Sequence, residues 1–323
     1  MVPHETVPSK EPLVITSALP TPLVSIKPVV LAAPGRGLDL PVRVSAPTIG
    51  RDLPIIVISH GSGSSLDGYG PLADYWAAHG FVVIQPTHLD SRTVGLAADD
   101  PRTPRIWRHR IEDLRRVLDQ LDLLEAALPG LAGRLDRSRI AVAGHSFGGQ
   151  SAGALLGVRI LDPETGSEAD FSDPRVTAGV LLATAGEGGA NLTPFAAAHL
   201  PHMNPSFSGM TGPALVVVGD QDEIPRKYQL TVRGPDWMAE PYHLSPGPKS
   251  LLTLFGAEHS LGGIPGYEVQ ETTDANPARV ALLQHLTWAY LRHALGIEDD
   301  SWAAAQQDLA QDPAALGRIE SKQ

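Results

Sequence analysis

The chain has 323 residues, 42% hydrophobic and 19% charged, the make-up of a globular protein with a sizeable core. Its 25 basic and 36 acidic residues give a formal charge of −11, which argues against nucleic acid or an anionic membrane surface as partner, because both need a basic face. With no cysteine, thiol catalysis, disulfides and thiolate metal sites are excluded.

The start, "MVPHETVPSKEPLVITSALP", carries prolines at 3, 8, 12 and 20, so residues 1–22 are expected as a loosely ordered arm. It lacks the basic start and unbroken apolar stretch of a secretory signal, which makes a cytoplasmic protein the default expectation. No run approaches the roughly 18 apolar residues of a membrane span.

Apolar runs then alternate with helical patterns. "LPIIVISHG" (53–61) reads as a buried strand, "GPLADYWAAHG" (70–80) as a helix and "FVVIQP" (81–86) as a strand. From Ile106 a long helix is predicted, with Ile111, Leu114, Leu118, Leu121 and Leu124 on one face and Pro129-Gly130 as its stop. "RIAVAG" (139–144) is a strand and "SFGGQSAGALLG" (146–157) a helix; "VTAGVLLAT" (176–184), "GPALVVVGD" (212–220) and "SLLTLFG" (250–256) are strands, the last of these the final one. "NPARVALLQHLTWAYLRHALG" (276–296) is a closing helix, and 297–323 is expected as a peripheral helix with a frayed end. Short, wholly apolar strands between amphipathic helices predict an α/β fold with a mostly parallel sheet covered on both faces. The main α/β body is expected over 23–296, with insertions at about 186–210 and 224–249 as pocket walls or lids.

The strand 139–144 runs into Gly144-His145-Ser146-Phe147-Gly148. Gly-x-Ser-x-Gly between a buried strand and a helix is the context of a nucleophile elbow. The sharp turn strains the serine backbone, and its neighbours two residues away must lack bulk. A phosphate loop would need a lysine after the glycines, and none is there. A serine hydroxyl needs a base and an acid to orient that base, in the chain order serine, acid, histidine. "LVVVGDQDEIP" (215–225) offers Asp220, Asp222 and Glu223 past a strand end; Asp222 is preferred because it lies further into the loop. Of the twelve histidines, His259 alone follows a strand in the required order; His145 lies inside the elbow with its side chain directed away from Ser146. No histidines show a metal-binding spacing such as HExxH, and no cofactor is expected. In "SHGSGSSLDGYG" (59–70), a His-Gly-x-Gly turn follows the first strongly apolar strand. The N–H groups of Ser62 and Phe147 are therefore expected to form an oxyanion hole.

On these residues the chain resembles the α/β-hydrolase superfamily. "ISHGSGSSLDGYGPLADYWAAHGFVVIQPTH" is similar to the opening of its platelet-activating-factor acetylhydrolase, chlorophyllase and dienelactone-hydrolase-like branch, and the resemblance spans about residues 25–295. It implies a cofactor-free serine hydrolase acting on a carboxylic ester. The cysteine nucleophile of dienelactone hydrolases proper is absent, and the elbow lacks the aspartate of haloalkane dehalogenases.

Phe195, Met203, Phe207, Met210, Trp237 and Tyr242 are candidates for an apolar pocket, with Trp107, His88 and Asp90 also near the cleft. Together these features point to an esterase for small to medium apolar esters. An amide, thioester or lactone hydrolase would use the same triad, and a non-catalytic binding protein on this fold is the reading from another class.

Overall fold

The computed structural model describes residues 19–97, 99–162, 167–223, 235–268, 273–297 and 300–323. Most of the expected N-terminal arm (1–18) and the first part of the expected insertion (224–234) lie outside the described residues.

A nine-stranded sheet organises the molecule. Its strands are β1 (Leu23–Leu31), β2 (Leu40–Pro47), β3 (Leu53–Ser59), β4 (Val82–Pro86), β5 (Leu135–His145), β8 (Val176–Leu182), β10 (Ala214–Gly219), β11 (Lys249–Leu254) and β12 (Gly317–Lys322), in the spatial order β1-β2-β4-β3-β5-β8-β10-β11-β12. Neighbours from β4 through β11 run parallel, and β1, β2 and β12 complete the edges antiparallel. Three short strands, β6 (Arg159–Leu161), β7 (Glu168–Ala169) and β9 (Pro205–Ser206), form a separate small sheet.

The wholly apolar strands arise because both faces of the sheet are covered. On β3, Ile56 and Ile58 pack with α1 (Gly70–Ala78) and with the long helix Pro277–Ala294. Ile55 and Val57 pack on the other face with α2 (Ile106–Asp119), α3 (Leu121–Ala127) and α4 (Phe147–Leu155). The single helix expected from Ile106 is thus two. The break falls at Gln120, where φ is −117° and ψ 27°, and its side-chain amide donates to the Ala32 carbonyl at 3.1 Å.

The chain end, expected to fray, also differs. After the helix Ser301–Gln311, β12 pairs antiparallel with the whole length of β11, with Ile319 opposite Leu252. Only Ile319 of this strand packs on the core, and Arg318 and Glu320 form an exposed ion pair at 3.3 Å. So polar an edge strand carries no apolar run to announce it.

The parallel strands end level with one another: Ser59 stands opposite Gly144, His145 opposite Leu182 and Gly219 opposite Leu254. The loops after β3, β5, β10 and β11 therefore open on one edge of the sheet, where α/β folds gather their functional groups.

Candidate active site

At the end of β5 the backbone turns through Ser146, whose φ is 55° and ψ −120°. A non-glycine residue at positive φ costs about 1–3 kcal/mol and persists only where its surroundings enforce it. The enforcement is local: Ser146 N–H donates to Leu182 O at 2.9 Å, and Ser146 O accepts from Gly149 N at 2.9 Å. Thr184 Oγ1 donates to the same oxygen at 3.2 Å. The glycines leave no room for substitution. A Cβ on Gly144 would lie 2.1 Å from Gly148 O, and one on Gly148 only 2.0 Å from Ser59 O. Both obstacles are main-chain atoms and cannot rotate away.

The loop after β10 carries Asp222, which is fully buried. The loop after β11 carries His259, whose Nδ1 lies 2.7 Å from Asp222 Oδ2. Asp220 is engaged elsewhere: its Oδ1 accepts from Gly256 N at 2.7 Å. Ser62, Ser146, Phe147 and His259 line one cavity of about 470 Å³. The N–H groups of Ser62 and Phe147 donate to no other group among the described residues.

Of the residues expected at the pocket, Trp107, Phe195, Met203 and Trp237 line this cavity, as does Asp90. Phe195 stands on the short helix α5 (Pro194–His199) and is 63% exposed at the rim. Phe207, Met210 and Tyr242 do not line it. Phe207 follows β9, is drawn with Met210 into the core on the α4 side, and walls a separate small void. Tyr242 packs into the core on the opposite face, under Lys322 Nζ at 5.0 Å. His88 also misses the cleft. It lies beneath the sheet edge, its Nδ1 3.0 Å from Asp113 Oδ2 and its Nε2 2.9 Å from Ser59 Oγ.

Several lining residues escaped the sequence reading, among them Gln150, Leu200, His202 and Met238. Gln150 was within reach, because it sits one helical turn beyond Ser146 on the same face of α4. The others lie in or beside single short helical turns, too brief to show a periodicity.

The wall behind the site is charged. Arg110 is fully buried, with Nε 2.8 Å from Asp90 Oδ1, and it donates through Nη1 to His60 O at 2.8 Å. Its guanidinium also lies 4.4 Å from the centroid of the Phe147 ring. Burial works against the charge on Asp90, but Arg110 outweighs it and holds the carboxyl well below the usual carboxylate range. Burial and then Arg110 push His60 well below its ordinary pKa. Arg110 shares the buried face of α2 with Trp107, Leu114 and Val117, and a charge on an apolar stripe is the sequence signal for such an internal pair. Among the described residues, no three His, Asp or Glu side chains converge to hold a metal ion. No helix there is long and apolar enough to cross a membrane.

The family model described as chlorophyllase matches residues 26–164. The match takes in the Gly61-Ser62 turn and the Ser146 elbow and ends before Asp222 and His259. No curated protein matches the chain. The sheet and this match give the chain an α/β-hydrolase fold, with its likeness to the chlorophyllase family carried by residues 26–164.

Proposed function

We propose that the protein is a serine hydrolase that cleaves carboxylic esters of small to medium apolar character through an acyl-enzyme on Ser146. The observation that carries this reading is the strained Ser146 turn opening into the cavity that His259 lines, with His259 Nδ1 bonded to buried Asp222. With its Nδ1–H given to the carboxylate, His259 offers Nε2 as the base. It takes the Ser146 Oγ proton as Oγ attacks the ester carbonyl. The resulting oxyanion is received by the Ser62 and Phe147 N–H groups, at the N-terminus of α4. His259 then protonates the leaving alcohol, and a water deprotonated by His259 releases the acid. The cavity walls, among them Ile106, Trp107, Leu200, Met203, Trp237 and Met238, suit an apolar acyl chain or alcohol.

Fluorophosphonate labelling and a panel of p-nitrophenyl esters of increasing acyl length test this. The wild type should label at Ser146 and turn over esters. Ser146→Ala should fold, fail to label and lose turnover by a factor on the order of 10⁵ to 10⁶. Retention of more than about a tenth of the activity in Ser146→Ala rules out this nucleophile. Faster cleavage of matched amides, thioesters or lactones would reassign the substrate class.

A further inference from the structure

One hydrogen-bonded chain runs behind the three loops that meet at the cavity. Gly61 N–H donates to Tyr69 Oη at 3.0 Å. Tyr69 Oη lies 2.7 Å from His145 Nδ1, and His145 Nε2 lies 2.7 Å from the carbonyl oxygen of His259. Tyr69 and His145 are only 2% and 4% exposed, so water does not compete for these bonds.

Chemistry dictates the direction of each bond. A carbonyl oxygen only accepts, so His145 Nε2 carries a proton. Burial, and then proximity to His259, push the pKa of His145 down to about 3, so near neutral pH the ring holds that proton alone. Nδ1 must therefore accept, and its donor is the Tyr69 hydroxyl. Burial raises the Tyr69 pKa well above its ordinary value, so this phenol keeps its proton. Its oxygen is left to accept from Gly61.

The ends of the chain matter. Gly61 precedes Ser62, His145 precedes Ser146, and the last acceptor is the backbone of His259 itself. The arrangement is closed to substitution, since a Cβ on Gly61 would lie 2.7 Å from Tyr69 Oη and 3.2 Å from His145 Nδ1. Tyr69 adopts a left-handed φ of 62°, and its own N–H donates at 3.1 Å to Pro265 O, further along the His259 loop. Neither Tyr69 nor His145 is among the residues lining the cavity.

We propose that His145 and Tyr69 are positioning residues of the hydrolytic site. His145, in its Nε2–H form, holds the His259 backbone in place relative to Ser146, and Tyr69 sets that form while anchoring the turn that carries Ser62. The inference rests on the serine-hydrolase reading above. It predicts losses in kcat and not in KM, because the bonds align the base and the oxyanion donors without touching the substrate.

The test compares full-length wild type with Tyr69→Phe, His145→Gln and His145→Leu. The readouts are kcat and KM on p-nitrophenyl butyrate, thermal unfolding, and the ¹⁵N NMR signals of the imidazoles. Tyr69→Phe and His145→Leu should lower kcat about tenfold to hundredfold, as small misplacements of reacting groups do, with KM within about twofold. His145→Gln, whose amide can still donate to the His259 carbonyl, should recover part of the loss. In the wild type, His145 should show the Nε2–H form unchanged from about pH 5 to 8, the range in which ordinary histidines titrate. Tyr69→Phe should admit the Nδ1–H form. An unchanged kcat in Tyr69→Phe overturns the proposal, as does a His145 that titrates in that range. Should His145→Leu fail to fold, Tyr69→Phe and the NMR signals still decide. A wild type that neither labels with fluorophosphonate nor turns over any ester sinks the hydrolase reading instead, while the NMR signals still report on the chain of bonds.

Discussion

At the scale of single residues, the two aspartates beyond β10 show how a separation of two positions divides the work. Asp222 is fully buried against His259, and its carboxylate is suited to hold the Nδ1–H form and, in the proposed hydrolysis, would stabilise the imidazolium. Asp220 accepts from Gly256 N, which ties the end of β10 to the end of β11. An asparagine at 220 keeps that acceptor oxygen, whereas one at 222 loses the charge and can present the wrong group to His259. Asp222→Asn should lower kcat by a factor on the order of 10⁴, and Asp220→Asn should stay within a few-fold of wild type. Steady-state kinetics at pH 8 on one p-nitrophenyl ester would settle this, and the reverse order would show that the wrong acid has been assigned.

At the scale of elements, the site is a product of strands that stop at the same level and loops that project from their ends. β3 leads into the Gly61-Ser62 turn, β5 into Ser146, β10 into the loop of Asp222 and β11 into the loop of His259. The tightest joint is between β5 and α4, where Gly148 lies against the carbonyl oxygens of Ser59 and His60 at the end of β3. A methyl group there would push α4 away from the sheet, and with it the Phe147 N–H and Ser146. Gly148→Ala should therefore cost about 3 kcal/mol or more, at the upper end of overpacking effects, and should also remove ester turnover. Urea unfolding measures the first effect; a midpoint within error of wild type would mean that the joint is far looser than the 2.0 Å approach to Ser59 O implies.

At the scale of the whole molecule, buried histidines set the response to acid. Burial pushes His145 down to about 3 and, together with Arg110, holds His60 and His88 well below their ordinary value. All three stay neutral in the fold, whereas in the unfolded chain histidine takes up its proton near pH 6.5. Their folded pKa values are depressed. Stability is therefore full above about pH 6.5 and falls as the pH drops toward the folded values, by about 1.4 kcal/mol per pH unit for each histidine. Asp113 acts in the opposite sense: burial pushes its carboxyl up to about 6 against the pull of Arg36. It therefore destabilises the fold as the pH rises from about 4 to about 6. Burial also lowers His202, to about 4, and His285, so the histidines outweigh Asp113, and the urea midpoint should be flat above about pH 7 and decline from pH 6.5 to 5. A midpoint that holds or rises over that interval would contradict neutral burial of these histidines.

What the sequence determined by itself is what local backbone chemistry controls. Apolar runs too short for helices, most of them closed by glycine or proline, could only be strands buried on both faces, and the helices between them made the sheet mostly parallel. The strand-to-helix context of Gly144-x-Ser146-x-Gly148 demanded a strained turn, because only glycine tolerates main-chain atoms 2.0–2.1 Å from a would-be Cβ. The order serine, aspartate, histidine was legible because each stands just past an apolar strand. Tertiary structure alone decided the rest. Whether Asp220 or Asp222 meets His259 depends on how the β10 and β11 loops fold across each other, and no periodicity encodes that. Phe207, Met210 and Tyr242 went to the core while His202 and Met238 line the cavity, because in loops and single helical turns a side chain's direction follows from distant packing. β12 was hidden because an edge strand buries only one face and can be nearly all polar. The chain Gly61–Tyr69–His145–His259 joins the loop after β3, the end of β5 and the loop after β11, and such a network exists only once the sheet has brought those segments together.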